Sequence, residues 1–455
     1  MYYILNKDIA LRSWWKVPYA YYSWHQEYAK SFTKEEFELL LLCDGSHDLQ
    51  DSDLLKQLLD KRIINECAKG TKLNPWQEHK SYNNRYMPLM SLQITGRCNY
   101  NCLHCFNAKD NERLQSELTY EQLIDILDQA KDCGINGITI TGGEPLVHKD
   151  FLKIIDAIYE RDMYVFDLNT NGYFLTQEML DHFKEIECYP LIKISFDGIG
   201  YHDWMRNKVG AQQEALKAIK LAVDNDFKVM AQIQINRKNK DSILETLNLL
   251  DDMGVDKARI VKTTETPRWV ENADGMSLSV TEYYDECYKI IEEYKKNKHN
   301  MTIVMWQLLE YSPKSKHYNL KTDLLGNNKY RDNIPICKGN RGMMSIGANG
   351  RLYPCFQLSG LLEAHDEVLG NIHEQPMRKL LQESKYLDTI ELSVKDRYDH
   401  NDKCKKCEHF YKCLGGCPAL GYINTDGDIL GIDNWKCDFY ENGYEEKFKK
   451  LLETE

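Results

Sequence analysis

Ten cysteines in this chain stand at spacings that suit metal chemistry. Cys98, Cys102 and Cys105 form a C-x3-C-x2-C group. Far downstream, Cys337 and the pair Gly350-x4-Cys355 precede Cys404-x2-Cys407-x5-Cys413-x3-Cys417, with Cys437 beyond. Three thiolates on one short loop can hold three irons of a four-iron cluster and leave the fourth open, whereas an electron-transfer ferredoxin cluster needs a fourth cysteine close by. The next cysteine, Cys133, is far along the chain in a helix-like segment. Zinc is the alternative, but structural zinc closes on four ligands and a local fourth is missing. For 404–417 a zinc ribbon is the competing reading until Cys337 and Cys355 are counted with it. Cys43, Cys67, Cys133, Cys188 and Cys287 are scattered singly and read as small buried hydrophobes.

The elements that must position these groups follow from the hydrophobic pattern. From about residue 89, β-rich runs (89–95, 137–141, 164–169, 191–196, 228–236 and 257–262) alternate with helical stretches such as 119–133 and 211–223. In 119–133, Leu123, Ile124, Ile126 and Leu127 recur at helical spacing. Six strand-helix repeats predict an α/β unit, an open partial (β/α)6 barrel over 89–310. The first cysteine group then lies at the C-terminal end of its first strand, where barrels build active sites. Residues 1–80 predict a small α+β domain: a strand over 1–5, an aromatic run, and helices over 33–43 and 52–67 broken by Asp44-Gly45. Over 311–455 the helical period weakens while Gly and Cys accumulate, which predicts a loop-rich domain held by metal. No internal repeat or low-complexity tract stands out.

Bulk properties narrow the partners. At 455 residues the chain is long enough for two or three domains. A net charge of -12 gives no electrostatic footprint for nucleic acid or an anionic membrane. No apolar run has membrane-spanning length and residues 1–15 lack a signal peptide's apolar stretch, so a cytoplasmic protein is expected. Fifteen cysteines in such a compartment argue for metal binding or catalysis over disulfides.

The C-x3-C-x2-C spacing resembles the signature of the radical S-adenosylmethionine (radical SAM) superfamily, over residues 89–262. After the second strand, Thr141-Gly142-Gly143-Glu144-Pro145 matches the family's GGE motif, whose backbone and carboxylate hold the methionine amino group of S-adenosylmethionine. Ser195, in Ile194-Ser195-Phe196-Asp197-Gly198, and Arg206, after His202-Asp203, match positions that lie near the cofactor's carboxylate in related enzymes. Asn171, ending the third strand, is placed to face the ribose. For these last three a turn or surface role is the competing reading. The resemblance implies that S-adenosylmethionine chelates the open iron and that one electron breaks a carbon-sulfur bond. The resulting 5'-deoxyadenosyl radical takes hydrogen from a C-H bond that the protein positions and shields from water. No catalytic base can be named.

The later cysteines resemble the seven-cysteine SPASM signature of peptide- and protein-modifying radical enzymes. By that resemblance Cys404, Cys407, Cys413 and Cys437 close one auxiliary cluster, and Cys337, Cys355 and Cys417 hold another. It implies three iron-sulfur clusters of the 4Fe-4S type, S-adenosylmethionine and an external one-electron reductant of flavodoxin or ferredoxin type. Two positions depart from the related sulfatase-maturing enzymes: Phe356 stands where they have an Asp that serves as a base, and Met343 where they have a further cysteine. Sulfatase maturation is therefore not expected. An open iron at the first auxiliary cluster would suit a substrate thiolate, or another protein ligand fills it. Residues 1–80 resemble, in element order, the winged-helix domain that grips leader peptides. Trp14, Trp15, Tyr19, Tyr21, Tyr22 and Trp24 either line a groove for an added peptide strand or pack against the barrel, and packing is favoured for most. The expected function is a maturase that cross-links a ribosomally made, leader-bearing peptide through a thioether or carbon-carbon bond. A small-molecule or protein side-chain substrate, and a non-catalytic iron-sulfur or zinc scaffold, are the alternatives.

Overall fold

A computed structural model of the chain describes residues 1–24, 28–107, 116–322, 331–337, 339–425 and 427–453. Its centre is an eleven-stranded sheet. Strands β7 (Leu89–Gln93), β8 (Gly137–Thr141), β9 (Tyr164–Thr170), β10 (Leu191–Ser195), β11 (Val229–Ile235) and β12 (Lys257–Lys262) run parallel in sequence order. The first two, Leu-Met-Ser-Leu-Gln and Gly-Ile-Thr-Ile-Thr, are almost wholly buried, as parallel strands covered on both faces must be. Helices α3 (Tyr120–Asp132), α4 (Phe151–Tyr159), α5 (Gln177–Glu185), α6 (His202–Arg206), α7 (Ala211–Asp224) and α8 (Ile243–Asp252) make the crossovers. Helix α3 starts where a capping box forms between Thr119 and Gln122, and buries Leu123, Ile126, Leu127 and Ala130. That i, i+3, i+4, i+7 stripe is what a core-facing helix needs.

The sheet extends past the six expected strands on both sides. After α9 (Pro267–Asn272) and α10 (Val280–Tyr294), β13 (Thr302–Met305) adds a further parallel strand, and β14 (Leu309–Ser312) and β15 (His317–Leu320) follow antiparallel. Strand β14 straddles residue 311, so the sheet runs through the expected start of the C-terminal domain. On the other side β16 (Met343–Ile346) pairs parallel with β7 and carries β17 (Leu352–Tyr353). The segment between Cys337 and Cys355 is thereby tied by backbone hydrogen bonds to the strand that precedes Cys98. Among the described residues no helix is long and apolar enough to cross a membrane.

The N-terminal unit corrects the sequence reading in three places. The aromatic run is a hairpin, β2 (Ile9–Trp15) with β3 (Val17–Ser23), in a sheet ordered β4 (Lys30–Ser31), β3, β2, β6 (Lys80–Arg85), and β6 carries the unit beyond residue 80. Helix α1 (Lys34–Leu41) is capped by Thr33 and Glu36. Helix α2 (Asp53–Asp60) stops short of the expected end at 67: Arg62 turns left-handed (φ 55°) and Ile63 N-H donates to Leu58 C=O at 2.9 Å. The chain then becomes β5 (Ile64–Cys67), pairing antiparallel with β1 (Tyr2–Leu5) and leaving Cys67 half-buried, unlike the other four single cysteines, which are buried.

Packing decides most of the aromatics. Trp14 is buried, stacks on Tyr82 at 5.1 Å and donates its indole N-H to Cys133 C=O at 3.1 Å. The Tyr22 hydroxyl donates to Gly134 C=O at 3.2 Å. Tyr21 is also buried, Tyr19 is partly so, and Trp15 and Trp24 are exposed. Trp14 and Tyr22 fasten the unit to the end of α3. Trp14→Ala is expected to cost about 3–5 kcal/mol, seen as early release of the N-terminal unit in limited proteolysis with the barrel intact.

Candidate active site

The loop after β7 and the loop after β8 are laced together by backbone. Gly143 N-H donates to Thr95 C=O at 2.7 Å and Glu144 N-H to Arg97 C=O at 2.8 Å, immediately before Cys98. The glycine is needed for room: a Cβ on Gly143 would lie 2.3 Å from the Arg97 oxygen and 2.5 Å from the Gly96 oxygen. Both obstacles are main chain and cannot swing aside. Gly143→Ala is expected to cost about 1–3 kcal/mol of stability and to weaken S-adenosylmethionine binding, readable together by scanning and titration calorimetry.

Glu144 is fully buried, and its carboxylate accepts from Thr170 Oγ1 (2.7 Å), Asn171 N-H (2.7 Å) and Leu146 N-H (3.2 Å). Burial pushes this carboxyl up to about 7 while the three donors pull it down. The structure therefore turns the Glu144 side chain toward the end of β9, so that it braces the motif, and the Gly142 carbonyl accepts from Asn107 Nδ2 at 3.1 Å. Asn171 reaches the cysteine loop through Nδ2, donating to Asn99 Oδ1 at 2.8 Å. Ser195 ends β10, half-buried, at the same C-terminal edge of the sheet.

Arg206 lies against the cysteine loop. Its Nη1 is 3.8 Å from Cys102 Sγ and its Nε pairs with Asp197 at 2.8 Å, both residues being buried. Burial opposes the Asp197 charge, but Arg206 and His202 outweigh it and hold the carboxyl below the usual range. Arg268, also buried, donates from Nε to Cys102 C=O (2.8 Å) and from Nη2 to Asn101 Oδ1 (2.8 Å). Burial pushes the His104 imidazole down to about 3, so the ring stays neutral. Among the described residues, four buried polar atoms on this loop, Asn99 Nδ2, Tyr100 Oη, His104 Nδ1 and Asn107 Oδ1, have no hydrogen-bond partner. Buried polar atoms are seldom left so, and a loop bearing three thiols and several unmet polar groups suits a thiolate-held cluster with a polar ligand.

The C-terminal cysteines gather in two groups. Cys404, Cys407, Cys413 and Cys437 line one cavity with His409, Phe410 and Tyr440. Burial first, and neighbouring thiols after it, push Cys404, Cys413 and Cys437 up to about 11. Cys337, Cys355 and Cys417 form the other set: burial and then Cys337 push Cys355 up to about 12, and Cys417 is raised by burial, then by Asp433 and by these two thiols. Among the described residues no three Cys, His, Asp or Glu side chains are gathered as a single ion's ligands. Thiols spread around a cavity wall match the wider span of a multi-iron cluster. Phe356 packs against the main core, and Met343 opens β16 beside Leu89.

Comparison with known proteins agrees with this geometry. The family description "Radical SAM superfamily" matches residues 92–261, and "Iron-sulfur cluster-binding domain", the SPASM family, matches residues 337–408. The chain carries a radical SAM domain followed by a SPASM domain. It is 25% identical over 348 residues to the AdoMet-dependent heme synthase of Methanosarcina barkeri, covering 75% of this chain and 94% of that protein. It is 24% identical over 267 residues to the PqqA peptide cyclase of Granulibacter bethesdensis, covering 58% and 66%. In fold it resembles Streptococcus suis SuiB, solved bound to its precursor peptide SuiA, with a TM-score of 0.66 at 15% identity over 93% of this chain and 97% of that one. This radical SAM/SPASM chain is an enzyme that binds S-adenosylmethionine and iron-sulfur clusters.

Sequence reasoning missed several residues that shape this radical SAM site. Asp197 was quoted only as a neighbour of Ser195, yet it is the buried partner of Arg206. Asn99 lies inside the Cys98-x3-Cys102 spacing at a position the motif leaves unspecified, and Arg268 and, in the SPASM domain, Arg397 have no motif around them. Arg397 is fully buried and donates to the carbonyls of Leu414 (3.1 Å), Gly416 (2.9 Å) and Gly431 (2.6 Å), clamping the Cys413–Cys417 loop. The one available signal was an arginine within an otherwise ordinary amphipathic stretch.

Proposed function

We propose that this enzyme modifies a ribosomally made, leader-bearing peptide, taking hydrogen with the 5'-deoxyadenosyl radical to install a thioether or carbon-carbon cross-link. The observation that carries this reading is the N-terminal unit. It is docked on α3 through Trp14 and Tyr22 and keeps the exposed two-residue strand β4 at its sheet edge, where an extended peptide can add a strand. The similarity to PqqA peptide cyclases and the fold shared with peptide-bound SuiB support it. Similarity to heme synthases favours a second reading, a small-molecule substrate, although it leaves a quarter of this chain outside the match.

Three clusters are proposed. Cys98, Cys102 and Cys105 hold the first; Cys404, Cys407, Cys413 and Cys437 close one auxiliary cluster; Cys337, Cys355 and Cys417 hold the other, whose fourth position belongs to another ligand. The proposed domains are 1–80, 89–310 and 311–455 by sequence, with β6 extending the first unit to Arg85 and β14 carrying the barrel sheet across the second boundary. When bound, the first cluster supplies the electron that opens a carbon-sulfur bond of S-adenosylmethionine. Gly142 and Gly143 offer backbone to the methionine amino group while Glu144 braces them. Ser195 and Arg206, the latter fixed by Asp197, stand at the carboxylate, and Asn171 at the ribose. The barrel walls exclude water from the radical. A flavodoxin- or ferredoxin-type protein delivers the electron.

The test is to incubate anaerobic holoenzyme, S-adenosylmethionine and reductant with peptides encoded beside the gene. A peptide that loses two hydrogens, only when its leader is present, is the expected product by mass spectrometry. Production of 5'-deoxyadenosine with every peptide unchanged and a tetrapyrrole-sized small molecule consumed would overturn the peptide reading in favour of the second.

A further inference from the structure

Lys262 is the last residue of β12, at the end of the sheet where barrel sites are built. It opens into a cavity between the barrel and the SPASM domain, walled by Tyr284, Trp306, Asn424 and Trp435. Its ammonium lies over the Trp435 ring, 3.4 Å from the centroid, and among the described residues it makes no hydrogen bond or ion pair. The other charges there are accounted for. Asp433 accepts from Cys417 N-H (3.0 Å) and Trp435 N-H (2.9 Å), Lys436 donates to Gln307 C=O (2.5 Å), and Glu265 is exposed. Trp435 is held by edge contacts from Tyr283 and Tyr284. One half-buried cation therefore faces an aromatic-walled cavity without a direct hydrogen bond or ion pair among the described residues, although the Glu265 and Asp433 carboxylates share the wall, and ligand sites pair an apolar wall with a few such polar groups.

We propose that this cavity is a subsite for a carboxylate of the peptide substrate, with Lys262 as its counter-ion and Trp306, Tyr284 and Trp435 packing the methylenes behind it. The inference rests on the peptide reading above. Burial pushes the Lys262 amine down to about 8, partly offset by Glu265 and Asp433, so the group stays mostly charged at neutral pH and a bound carboxylate would hold that charge more firmly. The same carboxylate chemistry comes from an Asp or Glu side chain or from a chain terminus.

Trace acetylation of anaerobic holoenzyme, read at Lys262 by mass spectrometry, separates these cases. S-adenosylmethionine is present throughout, without reductant, so that its own carboxylate is already seated. N-acetylglutamate α-amide probes a side-chain carboxylate, N-acetylglutamine a terminal one, and N-acetylglutamine amide is the neutral control. Labelling of Lys262 should fall by about threefold at a probe concentration of about twice its dissociation constant, with one carboxylate probe and not with the control. Equal labelling with all three probes, or equal protection by the neutral amide, would overturn the subsite. Peptide cross-linking would then still stand on its own mass-spectrometric test, so the two failures are distinguishable.

Discussion

Replacing Cys98, Cys102 and Cys105 together by alanine is expected to give a folded protein that keeps its SPASM iron and makes no 5'-deoxyadenosine. The three thiols are half-buried on a loop outside the strand interiors, while β7 and β8 are held by buried Leu89, Met90, Leu92, Ile138 and Ile140. Exchanging a loop thiol for a methyl removes no core contact, so the barrel survives. What goes is the anchor for three irons, and with it the electron entry to S-adenosylmethionine. The rate of 5'-deoxyadenosine release should drop by at least about 10³-fold, some 4 kcal/mol in barrier terms, while about two-thirds of the iron remains. Chromatography for the nucleoside and an iron assay on the same sample check both. Full nucleoside production by the triple variant would remove this loop from the mechanism.

Arg397→Met should do the opposite, emptying the SPASM domain while sparing the first site. The methionine keeps much of the stem volume but deletes the donors that serve Leu414, Gly416 and Gly431, carbonyls brought from two separate loops. Each buried acceptor left unmet costs about 1–3 kcal/mol, so the loop carrying Cys413 and Cys417 loses several kcal/mol of support. Iron per chain should fall toward a third of the wild-type content, and cleavage of S-adenosylmethionine without substrate should persist. Unchanged iron would show that the clamp is dispensable.

Much of the barrel was legible because its strands are short apolar runs and its helices announce their starts. The predicted 137–141 and 257–262 coincide with β8 and β12, and Thr119-x-x-Gln122 opens α3 with its capping box. The errors have physical causes. Residues 9–15 bury nearly every position of β2, so the hairpin shows no alternation and read as a bare aromatic run. Ile63 and Ile64 continue an apolar helix pattern, yet Ile63 closes the end of α2 and pairing with β1 claims Ile64 for a strand. Strand β16 pairs with β7 across some 250 residues, a partnership no local window contains. At the site, cysteine spacing located the loops. The arginines that hold them, Arg268 and Arg397, act on backbone carbonyls that any sequence supplies and so leave no pattern to read.

The central claim is tested most directly by reconstituting the wild-type protein anaerobically with iron and sulfide, counting metal, and adding S-adenosylmethionine with a reductant. About twelve irons per chain and steady release of 5'-deoxyadenosine are the expected result. Zinc in place of iron, or intact S-adenosylmethionine after reduction of an iron-loaded sample, would contradict it.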